Sequence, residues 1–139
     1  MIFLDTGAFV ARYVERDQQH EQASVYWRKI EAERIPCWTS SFVLDETITL
    51  LGRVCGNRFA HDRAQTIYAS RFLTILRPDT AVESEALSFF LKYADQSVSF
   101  TDCTSFVLMR RQGLKRVFGF DDHFRLAGFA VLPPFAESP

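Results

Sequence analysis

The sequence predicts an α/β fold, a parallel sheet with helices packed on both of its faces. Short apolar runs alternate with helix-length amphipathic segments along the chain, the pattern of repeated strand–helix–strand units. The runs are apolar throughout, as strands buried on both sides are. The chain also has the material for a sizeable core: it is 47% hydrophobic and 14% aromatic, with 14 Phe. A length of 139 residues fits one domain, residues 1–139, ending in a tail from Pro133.

Taken in order, Ile2 to Leu4 reads as the first strand, and Thr6-Gly7-Ala8 opens a helix directly after Asp5. A second helix covers Gln19 to Glu33, anchored by Val25, Trp27 and Ile30. Pro36 to Thr39 is a second strand, after which Ser40 or Ser41 can N-cap a helix running to about Val54. Gly56-Asn57 is a stop signal, the segment from Asn57 to Asp62 a loop, and Ala60 to Arg71 a further helix. Phe72 to Leu76 is strand-like. Thr80 and Glu83 have capping-box spacing and open a helix to about Tyr93. The next helix spans Thr101 to Gln112 and stops at Gly113. Arg116 to Phe120 and Phe129 to Leu132 are the last two strands.

Composition excludes several function classes. The net charge of −1 argues against a constitutively basic nucleic-acid coat. Cys37, Cys55 and Cys103 are odd in number and lack a C-x-x-C, so neither a zinc knuckle nor a disulfide framework is indicated. Buried free thiols fit a reducing cytoplasm. No secretion signal or membrane-length apolar stretch is present.

Four acids sit beside or inside apolar segments: Asp5, Glu46, Asp102 and Asp121. A carboxylate near the core costs free energy unless it is paired or holds a metal. Asp5 ends the first strand, where ligands bind in open parallel sheets; as an ordinary turn residue it would cap the following helix. Glu46 falls on the stripe Val43, Thr47, Leu50 and Val54, whereas Asp45 can reach solvent; a rim position or an internal ion pair is the ordinary reading of Glu46. Ser99 to Asp102 has capping-box spacing, yet Asp102, Phe106 and Met109 share one row of a nearly apolar helix. Asp121 ends the fourth strand as Asp5 ends the first. Asp122 follows it at once, and either could face inward.

These are hard oxygen donors suited to Mg²⁺ or Mn²⁺. Such an ion can bind a phosphate oxygen and activate a water for in-line attack. His20 and His61 read as solvated surface, and His123 as part of the turn F-D-D-H-F. Among the cations, Arg12 and Arg16 lie one helical turn apart on the helix leaving Asp5, the best placed to contact a phosphate backbone.

With those residues in view, the chain resembles the PIN-domain family and, within it, the VapC-like toxins. M-I-F-L-D-T, T-S-S-F-V-L-D-E-T, S-F-T-D-C-T-S-F and F-G-F-D-D-H-F-R-L-A-G-F carry the likeness, in order and across nearly the whole chain. The resemblance implies an α/β/α sandwich around a parallel sheet of about five strands, and Mg²⁺- or Mn²⁺-dependent RNA cleavage leaving a 5′-phosphate and a 3′-hydroxyl. It maps Asp5, Glu46, Asp102 and Asp121 onto the family's acidic positions, with Asp5, Asp102 and Asp121 as metal ligands and Glu46 completing the site. Thr6 and Thr101 map onto supporting hydroxyls, and Asp95 and Asp122 onto supporting acids. It further implies a cognate antitoxin, a homodimer and a cytoplasmic setting. Three rivals use similar features, one of them a haloacid-dehalogenase-like phosphatase, for which the lone Asp5 lacks the expected D-x-D pair. A receiver-like signalling domain would want an acidic pair after the first strand, but Thr6 follows Asp5. A PIN-like binding module would hold RNA or protein without cutting it.

Overall fold

The computed structural model describes residues 1–134. The expectations for 135–139 lie outside them. Five strands, β1 (Ile2–Leu4), β2 (Cys37–Ser40), β3 (Leu73–Leu76), β4 (Arg116–Phe118) and β5 (Ala130–Leu132), form one sheet in the order β3-β2-β1-β4-β5. Every neighbouring pair is parallel, with Phe3 beside both Trp38 and Val117. β1 is therefore central, and its three residues are buried. The helices are α1 (Thr6–Tyr13), α2 (His20–Glu33), α3 (Ser41–Cys55), α4 (Asn57–Ala69), α5 (Thr80–Lys92), α6 (Phe100–Arg111) and α7 (His123–Leu126).

The chain moves one way along the sheet from β1 to β3 and then crosses back to β4 and β5. Right-handed crossovers therefore send the helices before β3 to one face and those after it to the other. The aromatic contacts agree. On one side Tyr26 and Trp27 of α2 meet Phe118 at ring-centroid distances of 4.9 and 5.3 Å. On the other, Phe106 of α6 meets Phe124 at 5.1 Å and Phe129 at 6.0 Å. These rings fill the core and explain why so many Phe are needed.

Caps set the helix starts with small departures from expectation. Ser40 accepts from the Val43 amide and caps α3. Asp79, not Thr80, caps α5, accepting from Val82. The expected loop after Gly56 is instead the first turn of α4. Gly56, at φ +90°, ends α3 and lets α4 begin at the next residue. That conformation is one only glycine adopts without strain. Three strands are shorter than the sequence suggested: β3 starts at Leu73, β4 stops at Phe118, and β5 starts at Ala130.

Candidate active site

The carboxyl edge of the sheet collects the acids. Asp5 leaves β1 held from both sides: its amide donates to the Phe118 carbonyl (3.0 Å), and the Leu4 carbonyl before it accepts from the buried Thr39 hydroxyl (2.8 Å). Asp5 occupies the N-cap position of α1, yet its side chain makes no cap bond there. The capping reading of this residue is thus not met, although the Thr6 amide still favours its charged form. The Asp5 side chain lies against Gly119. A Cβ on Gly119 would stand 3.0 Å from the Asp5 Cβ and 3.4 Å from its Oδ2, so glycine is what admits the close approach.

Asp102 fulfils both of its readings. Ser99 and Asp102 form a reciprocal capping box, with the Asp102 amide donating to Ser99 Oγ (3.0 Å) and the Ser99 amide to Asp102 Oδ2 (3.4 Å). The same buried carboxylate faces Asp121 and His123, and one donor atom from each of the three lies within 4.8 Å of the others. The choice between Asp121 and Asp122 is settled by the turn. Asp121 Oδ1 accepts from the His123 amide (2.9 Å), which holds it at the cluster. Asp122 is exposed and ion-pairs with Arg125 instead.

The electrostatics show the crowding. Burial lifts the Asp5 carboxyl well above the usual carboxylate range, and the charges of Asp102, Asp121 and Glu46 lift it further against the Thr6 amide. Asp102 is pushed up to about 6, by burial first and by Asp121 next, against the pull of Ser99 and His123. Of the four acids singled out in the sequence, Asp102 and Asp121 share one tight donor group with His123, Asp5 feels the charges of both, and Glu46, half-exposed on α3, acts on Asp5 least. The buried stripe of that helix is Val43, Leu44, Thr47 and Leu51, not the one through Leu50 and Val54.

The other expected residues fall differently. Thr6 is buried, and its Oγ1 has no hydrogen-bond partner; Thr101 is half-buried in the first turn of α6. Asp95 is exposed in a short 3-10 turn, Ala94–Gln96, and Asp122 is directed to Arg125. Arg12 is engaged within the fold, 2.6 Å from Glu31 and 4.3 Å from the Trp27 ring centroid. Arg16 is exposed and donates to the Val54 carbonyl. The residue that sequence reasoning undervalued is His123, whose Nδ1 lies 3.0 Å from Asp121 Oδ1 and 3.4 Å from Asp102 Oδ2. Its place two residues after Asp121 was the available signal.

A divalent cation fits this donor set. The carboxylates are hard oxygen ligands whose mutual repulsion a cation would relieve, and Thr6 Oγ1 and His123 Nδ1 are buried polar atoms without a hydrogen-bond partner.

A parallel five-stranded sheet with acids gathered at its carboxyl edge defines the class. The PIN domain family matches residues 2–130, and this chain belongs to it. More particularly, it is 37% identical over 138 residues to the 23S rRNA-specific endonuclease VapC20 of Mycobacterium tuberculosis, a match covering 96% of this chain and 99% of that one. The crystal structure of VapC20, described as a sarcin–ricin loop cleaving toxin, superposes with a TM-score of 0.83 at 33% identity, covering 94% and 97% of the two chains. FitAcB from Neisseria gonorrhoeae, at 19% identity and a TM-score of 0.66 over 94% of this chain and 96% of that one, shares the fold. No helix among the described residues is long and apolar enough to cross a membrane.

Proposed function

We propose that this chain is a Mg²⁺- or Mn²⁺-dependent endoribonuclease, the toxin of a toxin–antitoxin pair, and that its substrate is 23S rRNA. The grouping of Asp102 and Asp121 with His123, and the placing of Asp5 within reach of the charges of Asp102, Asp121 and Glu46, carry this reading. The near full-length likeness to VapC20 supports the choice of RNA and, within it, of the sarcin–ricin loop.

Asp5, Asp102 and Asp121 would hold the cation, which when bound supplies neutralisation of the phosphodiester charge and activation of the attacking water. The protein's own groups prepare the site for it. Thr39 and the Phe118 carbonyl fix the turn that carries Asp5, and Ser99 fixes Asp102. In this reading Glu46, half-exposed on α3, would orient the water and take its proton. The P–O3′ bond breaks, the 3′-oxygen takes a proton from solvent and leaves as an alcohol, and the phosphate stays on the 5′ side. Arg16 is exposed and bonded to a carbonyl rather than to a carboxylate, so it keeps its charge for the RNA backbone. Arg12 has Glu31 as its counter-charge and serves the fold first.

The same reading includes a cytoplasmic setting, an antitoxin that covers the acidic edge, and a second copy of the chain. For that copy, the exposed Leu87, Phe90 and Leu91 of α5 offer an apolar face of the kind that marks a contact surface.

The test is incubation of purified protein with 23S rRNA in Mg²⁺, Mn²⁺ or chelator, with both ends of the products mapped. Cleavage should need the ion and vanish in Asp5→Asn and Glu46→Gln variants that retain the fold. Undiminished cleavage in chelator, or in both variants, would overturn the proposal.

A further inference from the structure

We infer that His123 is a nitrogen ligand of the cation held at the acidic edge, and that it biases this site toward Mn²⁺ over Mg²⁺. The inference deepens the metal-dependent reading above and rests on it. His123 is the first residue of α7, and its backbone amide is tied to Asp121 Oδ1. The same residue thus anchors Asp121 and turns its imidazole toward Asp102.

The distances of 3.0 and 3.4 Å from Nδ1 to the two carboxylates resemble those of an ion pair. The alignment does not. Nδ1 is sealed from solvent and is not aligned to donate to either oxygen, although its closeness still favours the charged form of Asp102. An imidazolium serving as a counter-ion would aim an N–H at one carboxylate. Here the nitrogen and the oxygens converge on common ground instead of on each other. A buried nitrogen left unsatisfied is costly, and a shared ion removes that cost. Adjacent ligands on an octahedral ion at about 2.1 Å lie about 3 Å apart, so the pairs at 3.0 and 3.4 Å need little rearrangement to share one.

The consequence for selectivity follows from ligand chemistry. Mg²⁺ favours an all-oxygen shell, whereas imidazole is an established ligand for first-row transition ions. Among the other histidines, His20 is bonded to the Ala11 carbonyl and His61 sits beside Asp62, so neither belongs to this cluster.

The test uses the full chain loaded with Mn²⁺ and no RNA. Electron spin-echo modulation should report a directly bound imidazole nitrogen in the wild type, and the signal should be lost in both His123→Ala and His123→Gln. Calorimetric titration should show Mn²⁺ affinity falling about 10- to 100-fold in His123→Ala, with Mg²⁺ affinity changing less than about threefold. Thermal unfolding of the metal-free variants checks that each has folded. No nitrogen coupling in the wild type, coupling that persists in both variants, or equal losses for the two ions would overturn the inference. Failure of the wild type to bind either ion would remove the metal-dependent reading along with it. Nitrogen-coupled Mn²⁺ in a protein that does not cut RNA would remove the ribonuclease reading alone.

Discussion

Replacing Asp102 by Asn should stabilise the metal-free protein at high pH while abolishing its activity. In the folded chain the Asp102 carboxyl titrates near 6, against an ordinary value of 3.8. The folded protein therefore holds that proton more tightly than the unfolded chain does. The stability this contributes is fully present below the unfolded value and is lost as pH rises through the folded one. A displacement of about two pH units corresponds to about 3 kcal/mol, of which about 2 kcal/mol is lost between about pH 4.5 and about pH 8. Asparagine carries no such proton, and its amide oxygen can still accept from the Ser99 amide, so the cap survives. Relief of the neighbouring Asp5, which the Asp102 charge also burdens, acts in the same direction. At about 3 °C per kcal/mol for a domain of this size, the Tm of the variant relative to wild type should rise by about 6 °C across that range in chelator. Adding Mn²⁺ at high pH should close the gap by stabilising the wild type alone. Differential scanning fluorimetry over a pH series measures all of this. A difference that stays flat, or narrows toward high pH, would refute the argument that crowding of buried carboxylates dominates at this edge.

Other outcomes follow from single contacts. Gly119→Ala places a methyl group 3.0 Å from the Asp5 Cβ; cleavage should fall about tenfold as Asp5 is displaced, since small misplacements at a reacting centre are costly, while circular dichroism shows the fold intact. Arg12→Ala removes the Glu31 pair and the stacking on Trp27 and should cost about 1 kcal/mol in urea unfolding, with cleavage of the folded fraction unchanged. Arg16→Ala should leave stability within about 0.5 kcal/mol and lower the slope of log K against log salt for RNA binding by about one; an unchanged slope would remove Arg16 from the RNA surface.

Much of this architecture was legible because local and global signals agree. The apolar runs at Ile2 and Cys37 could only be central strands, and Ser40 and Ser99 cap where their spacing says they should. Where several residues offer similar chemistry, the sequence misplaces the boundary. Asp79 and Thr80 are both good caps, and the one that follows the extended backbone wins. The start of α4 was hidden because Gly56 reads as a terminator, while here its positive φ joins two helices without a loop. At the site, the strand-end logic locates Asp5 directly. Asp121 against Asp122 was undecidable because β4 has already ended and a side-chain turn, not strand alternation, sets the facing. His123 escaped because a histidine ligand is usually recognised by partner His or Cys residues at fixed spacing, and its partners here are carboxylates, one of them 21 positions earlier in the chain.

The separation of those carboxylates along the polypeptide has a consequence for synthesis. Asp5 leaves the ribosome well before the strand that sits beside it and the turn bearing Asp121, a residue 116 positions further along the chain. A nascent polypeptide cannot bring these acids together until the segment bearing Asp121 has been made. For an enzyme whose proposed target is the ribosome itself, that delay keeps the centre incomplete while the intervening helices and strands are still being translated.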